Sequence, residues 1–381
     1  AAAGVRFATA VAQSPWTRPS HRSMLTGLYP IARAGFDRRP LALVLWRNGY
    51  RTTARTGGGQ VGARFRFQTG FEFYRVEDWL ASPERVADRL EAGRGRDDFL
   101  FLHTFATHDP YTDTRFAENL PPGRIRGQFS VRDREGWARA GLTDEEKTYV
   151  EALYDGGVAA ADERLGTLFE TLDRRGLLAD AIVIVTSDHG EAFWEHGTWR
   201  HGTTLYDHQL LVPLLLRLPD RLLRRLDVEP GTVVDRQVEL IDVYPTLLDL
   251  LDIESEREVQ GRSLVPLLAG EPVPPRRAYA ENTNHATYER KAFRTGRYKF
   301  VYSMPRDADS GAAPYVELYD LERDPGERVN LAETSPDVVR RELERLEVML
   351  AGARGALEEE LPEGLDADLE ERLRALGYVG N

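Results

Sequence analysis

The sequence contains no cysteine. That removes disulfides, thiolate metal sites and a cysteine nucleophile, and leaves the redox compartment open. Lysine is almost missing, occurring at Lys147, Lys291 and Lys299. Arginine carries the positive charge instead, which reads first as a codon-composition bias. No apolar run reaches the roughly eighteen residues that a membrane-spanning helix needs. The net charge of −12 argues against non-specific nucleic-acid binding. The chain opens at Ala1 with neither an initiator Met nor a signal-peptide pattern, as expected of a fragment or processed form. Gly57-Gly58-Gly59 is followed by no Gly-Lys-Ser/Thr, so it is not a phosphate-cradling P-loop.

What is present is a chain of 381 residues, long enough for a large core and a division into a major and a minor domain. A strand is expected over Val5 to Val11, a buried helix over Leu41 to Trp46, and a strand over Arg51 to Thr56. Phe99 to Phe105 is an apolar run of strand length, suited to cover on both faces. Residues 111 to 141, rich in Arg, Gly and Pro, read as a surface insertion. Apolar residues recur at helical spacing from Glu146 to Gly176. Ala181 to Thr186 then reads as a strand breaking into Ser187-Asp188-His189-Gly190. Strand, helix and strand in this order imply parallel pairing with right-handed crossovers. Val212 to Leu216 and a helix around Tyr244 to Leu251 complete the large domain. After Pro272, Pro274 and Pro275, strands are expected at Ala278 to Glu281, Lys291 to Tyr302 and Val316 to Tyr319. The domain division is 1–271, 272–335 and a charged helical tail over 336–381.

Chemistry concentrates in two places. Ser14 to Gly27 gathers hydroxyl side chains, His21, Arg18 and Arg22 at a helix start. Pro19 suits a first turn, and Ser20 or Thr17 could cap it. The N–H groups and dipole of such a helix end suit a tetrahedral anion. The second place is the histidine cluster His189, His196, His201 and His208. Asp188-His189 at a strand end pairs a carboxylate with an imidazole, which suits a divalent metal. His196 and His208 read as loop residues, and His103, within a strand, reads as a core histidine. A metal beside Thr17 would make its hydroxyl a usable nucleophile.

These stretches resemble the sulfatase family of the alkaline phosphatase superfamily. Thr17 to Gly27 is similar to its nucleophile signature ending in Leu-Thr-Gly, and His108-Asp109-Pro110-Tyr111 to its His-x-Pro-Tyr turn. Ile184 to Glu191 is similar to its metal-binding strand end, and His201 to Asp207 with Val212-Pro213 to its substrate loop. Glu317 to Leu321, Asp324-Pro325 and Asn330-Leu331 are similar to its minor-domain run.

The resemblance implies an α/β fold, an alkaline-phosphatase-like three-layer sandwich with a mainly parallel sheet, plus a smaller C-terminal α+β subdomain with an antiparallel sheet. It implies a metal-dependent hydrolase of sulfate or phosphate esters in which Thr17 is the nucleophile. The metal ligands would be Asp188, His189 and Thr17, around one divalent ion (Ca, Mn or Zn). A second metal is not expected, because Ala159 stands four residues after Asp155 where two-metal relatives carry His. His108 and His201 would contact the sulfuryl or phosphoryl oxygens, and either could protonate the leaving group. His201 holds a place often filled by lysine. His21 or Arg22 would assist, standing where the family places one arginine. Threonine cannot become the formylglycine of authentic sulfatases, so direct attack is implied. Threonine here resembles the phosphodiesterase, phosphatase and phosphoethanolamine-transferase relatives. The implied partner is a small-molecule or glycan- or lipid-linked anionic ester. A phosphoethanolamine-type transferase of the cell envelope is one alternative. An inactive fragment is another, since the strand carrying the family's first acidic ligands is expected upstream of Ala1.

Overall fold

The computed structural model describes residues 4–32, 39–125, 127–130, 141–284, 287–307 and 310–358. Strand β1 (Val5–Val11) runs through the centre of a mixed sheet. Val5 and Phe7 point into the core while Arg6 faces outward, the period-two pattern of a half-covered strand. Strand β6 (Leu211–Arg217) lies antiparallel to β1, and β5 (Val183–Thr186) lies antiparallel to β6. The short strands β7 (Val233–Val234) and β8 (Val238–Glu239) pair parallel to β1 on its other edge. Val5, Phe7, Met24, Leu25, Leu214 and Leu216 form the heart of the main core.

A second sheet is all parallel, in the order β3 (Phe73–Val76), β2 (Arg51–Thr56), β4 (Asp98–Leu102). All six residues of β2 are buried although five are polar or charged. Burying arginine is costly unless it is paired. Arg51 therefore forks onto Asp98 at 2.6 and 2.8 Å, and Arg55 bonds Glu77 and the Arg85 carbonyl.

Helix α1 (Thr17–Thr26) follows β1 and closes on Gly27 in the left-handed region at φ 68°. Helices α2 (Leu41–Arg47) and α3 (Pro83–Glu91) flank the parallel sheet, and α3 packs on the long helix α4 (Asp144–Arg174). A capping box holds the start of α4: Thr143 Oγ1 accepts from Glu146 N while the Glu146 side chain accepts from Thr143 N. The C-terminal part carries a third, antiparallel sheet, β9 (Ala278–Asn282), β10 (Tyr288–Arg294), β11 (Tyr298–Pro305) and β12 (Tyr315–Asp320), with the helix Pro336–Glu358.

The α/β class with a separate antiparallel sheet agrees with expectation. Four details differ. β4 and β5, the strands flanking α4, do not pair with each other: β4 lies against β2, and β5 against β6. Lys291 to Tyr302 is two strands, because Thr295 and Gly296 turn the chain and Thr295 N bonds the Tyr298 carbonyl. The apolar run at 99–105 stops as a strand at Leu102, leaving His103 beyond its end. The insertion after residue 110 is anchored rather than peripheral, since Tyr111, Ile125 and Phe129 are buried against α4. Of the expected charged tail, residues 359–381 lie outside the described residues, as does 131–140 of the insertion. No described helix is long and apolar enough to cross a membrane.

Candidate active site

Helix α1 begins at Thr17 itself, with extended Trp16 (φ −154°) at its N-cap position and no side-chain capping bond. Neither Thr17 nor Ser20 caps the helix, contrary to the sequence reading. Both hydroxyls are turned elsewhere. Ser20 Oγ donates to the Asp188 carbonyl at 2.5 Å, and Thr17 Oγ1 lies 3.4 Å from His189 Nε2. The start of α1 is thereby tied to the loop after β5.

That loop is held by close packing. Gly190 N bonds the Gln209 carbonyl at 2.9 Å, and a Cβ at Gly190 would stand 2.2 Å from the His208 carbonyl oxygen. Only glycine fits. His189 Nδ1 is 2.8 Å from the Gly190 carbonyl. A carbonyl only accepts, so Nδ1 carries the hydrogen and Nε2 of the neutral ring presents a lone pair. Burial pushes the His189 imidazole below its ordinary value, which favours that neutral form.

Asp188 Oδ2 is buried and makes no hydrogen bond, although His21 Nδ1 and His189 Nε2 lie 3.3 and 3.4 Å away. His21 Nδ1 donates to the Thr17 carbonyl at 2.9 Å. Burial by itself would raise the Asp188 carboxyl; the imidazoles of His189, His21 and His103 around it hold it well below the usual range. Two acceptors, Asp188 Oδ2 and His189 Nε2, thus converge with no hydrogen between them, and Thr17 Oγ1 stands beside them. A buried carboxylate oxygen without a partner is costly, and this oxygen, nitrogen and hydroxyl set is of the kind a divalent cation takes. The three donors fit part of a ligand shell. Among the described residues no group of three His, Cys, Asp or Glu side chains gathers in a ligating arrangement.

Thr17, Asp188, His189 and His108 line one cleft, together with His103, Phe105, Thr107, Tyr154 and Glu191. His108 Nδ1 lies 2.8 Å from the Asp109 carbonyl and 3.1 Å from its carboxylate. That carboxylate raises the His108 imidazole above its ordinary value. His201 packs against His189 with ring centroids 4.2 Å apart and planes tilted by 35°, and meets His108 edge-on at 5.3 Å. Arg22 turns the other way, its Nη2 3.4 Å from the Phe65 carbonyl. Arg18 lies over the Phe65 ring at 3.7 Å and bonds Gln60. Of the basic residues in the first motif, only His21 is brought against Asp188.

His103 is the residue the sequence reading placed wrongly. It lines the cleft, meets His21 edge-on at 5.2 Å, and its Nδ1 accepts from Gly57 N at 3.3 Å. Burial and the neighbouring His21 push it down to about 3, so the ring is neutral and its hydrogen sits on Nε2. The signal available in the sequence was the break of the apolar run at His103 itself. His196 and His208 belong to another cavity, of about 380 Å³, lined also by Trp194, Glu195, Asp207 and Glu327. There His196 stacks on Tyr206 at 3.7 Å.

The chain is similar over 209 residues to arylsulfatase K of Mus musculus at 32% identity, covering 52% of this chain and 35% of that protein. The chain therefore spans about a third of that relative's length. Its fold is similar to a phosphonate monoester hydrolase of Agrobacterium radiobacter (TM-score 0.72, 20% identity, 92% and 89% of the two chains). It is also similar to a protein solved with its substrate D-glucosamine-2-N,6-O-disulfate (TM-score 0.68, 18% identity, 96% and 93%). The family model described as N-sulphoglucosamine sulphohydrolase, C-terminal, matches residues 194–350. The model described as Sulfatase matches residues 1–253, and the chain belongs to the sulfatase family.

Proposed function

We propose that the chain is a hydrolase of sulfate or phosphate esters that uses Thr17 as its nucleophile. The observation that carries this reading is the convergence of Thr17 Oγ1, His189 Nε2 and the unbonded Asp188 Oδ2 at the uncapped start of α1. A divalent cation held by Thr17, Asp188 and His189 would acidify the threonine hydroxyl and offset charge on the reacting oxygens. Thr17 Oγ1, its proton released to solvent, attacks sulfur or phosphorus, the ester oxygen departs, and a covalent threonine ester is left for water to cleave. His108, whose imidazole Asp109 raises above its ordinary value, would deliver a proton from Nε2 to the departing oxygen. His103 Nε2–H and the free N–H groups at the start of α1 bind the non-bridging oxygens.

Threonine in place of an oxidisable cysteine or serine favours phosphoesters over sulfate esters. The partner is an anionic ester of a small molecule, glycan or lipid; the sulfated glucosamine bound by one structural neighbour is of that class. Steady-state rates on nitrophenyl sulfate, phosphate and phosphodiester, with each divalent metal in turn, test the reading. Thr17→Ala should abolish turnover and the covalent adduct seen by mass spectrometry. Turnover that survives in Thr17→Ala overturns the nucleophile assignment.

A further inference from the structure

His201 sits at the cleft without support from its own strand or helix, since it lies in the loop between β5 and β6. What fixes it is Glu191. His201 Nδ1 lies 3.1 and 3.2 Å from the two Glu191 carboxylate oxygens. Glu191 Oε2 also accepts from the Tyr111 hydroxyl at 3.0 Å. Tyr111 is buried, packed edge-on against Tyr154 at 5.6 Å and held by backbone bonds in both directions with Phe129. The side chains of His201 and Glu191 are only 12% and 9% exposed. Two segments thus meet at one carboxylate: the turn at Tyr111, and the loop between β5 and β6, which carries both Glu191 and His201.

We infer that Glu191 is a positioning residue of this site, fixing the tautomer and plane of His201 through a Tyr111–Glu191–His201 relay. A carboxylate only accepts, so the hydrogen of a neutral His201 is confined to Nδ1. Nε2, for which no bonding partner is found among the described residues, is then the atom presented to substrate. The tilted ring contact with His189 sets the inclination of the ring, and the two-oxygen contact with Glu191 sets its rotation. A carboxylate behind an imidazole is a recurrent way of fixing which nitrogen works; behind metal-ligating histidines, removing one costs roughly 10–100-fold in affinity or activity. Tyr111 in turn stops Glu191 from rotating away. The lysine that His201 replaces in relatives would need no such partner, because its ammonium has no tautomers.

The inference rests on the ester-hydrolase reading only for its kinetic arm. Histidine labelled with ¹⁵N reports directly which ring nitrogen carries hydrogen, and His201→Asn assigns the signal. The intact chain should show His201 protonated at Nδ1. In Glu191→Gln the amide nitrogen can face the ring, and the signal should move towards the Nε2–H form or an exchanging mixture. Turnover by Glu191→Gln should fall roughly 10–100-fold in kcat with KM changed by less than about threefold. Tyr111→Phe should give a smaller kcat loss in the same direction and keep the Nδ1–H form. An unchanged His201 signal in Glu191→Gln overturns the inference, as does an unchanged kcat in a chain that hydrolyses esters. A chain that hydrolyses none of the esters, with the expected change in the His201 signal, would leave Glu191 as the residue holding His201 and sink the function reading alone.

Discussion

Thr17 Oγ1 and His189 Nε2 stand 3.4 Å apart although 172 positions separate them in the chain. Ser20, one turn along the same helix, bonds the backbone of Asp188 and fixes that separation. The first prediction is a contrast between two substitutions at the hydroxyl. Thr17→Ser keeps an oxygen on Cβ and should retain measurable turnover. Thr17→Ala should lower kcat by roughly 10³-fold or more, as expected when a covalent nucleophile is removed. Thermal unfolding of both variants should stay close to that of the parent chain.

His108 gives a dependence on pH with a definite sign. Asp109 raises its imidazole above the ordinary value of 6.5, so the alkaline limb of kcat/KM should fall at a pH above that value. In Asp109→Asn the limb should move to lower pH. The stability linkage runs the same way. A raised imidazole contributes stability that is fully present below the unfolded value near 6.5, and loses it as pH rises through the folded value. Denaturant midpoints of the parent and Asp109→Asn, taken on both sides of that range, should converge at high pH.

Lys299 provides a test of how the loop leading to Asp207 is attached. It is fully buried, 2.9 Å from Asp207 and 2.8 Å from Glu327, and Arg294 approaches Asp207 from the other side at 2.8 Å. Lys299→Met would leave buried carboxylates short of one cation. The expected loss is about 3–5 kcal/mol of unfolding free energy, read from urea denaturation. Glu327→Gln in the Lys299→Met background should recover part of it.

Gly190→Ala should be damaging out of proportion to its size. The added methyl would meet the His208 carbonyl at 2.2 Å, so the loop carrying Asp188 and His189 must shift. A loss of about 1–3 kcal/mol is expected from such overpacking. Divalent-metal binding measured by calorimetry should weaken in the same variant.

Much of this site was legible because it follows local grammar. Thr17-Arg18-Pro19 at a helix start, a β-rich run breaking into Asp188-His189, and His108 in a Pro-containing turn each announce themselves within a few residues. What the sequence hides is direction. Nothing local says that Ser20 would bond across to Asp188 instead of capping its own helix, or that Arg22 would turn to Phe65 and leave His21 alone with the carboxylate. His103 was missed because an apolar run sets no exact end for a strand, and one residue beyond Leu102 decides between core and cleft. Strand β2 lies over Arg51–Thr56 as expected, and only its burial is hidden. Its Arg-Thr-Thr-Ala-Arg-Thr looks half-exposed until Asp98 and Glu77, remote in sequence, arrive to pair its arginines. In the same way, Tyr111 and Phe129 bury a stretch whose composition reads as surface.

The start of α1 gives up the side-chain bond that usually steadies a first turn, worth about 1 kcal/mol. That turn should therefore be the restless part of an otherwise rigid centre. Amide hydrogens at Thr17 and Arg18 should exchange readily with solvent in the ligand-free protein and slow when inorganic sulfate or phosphate is added. In that case the anion itself completes the helix, and the protein stiffens where it grips its substrate.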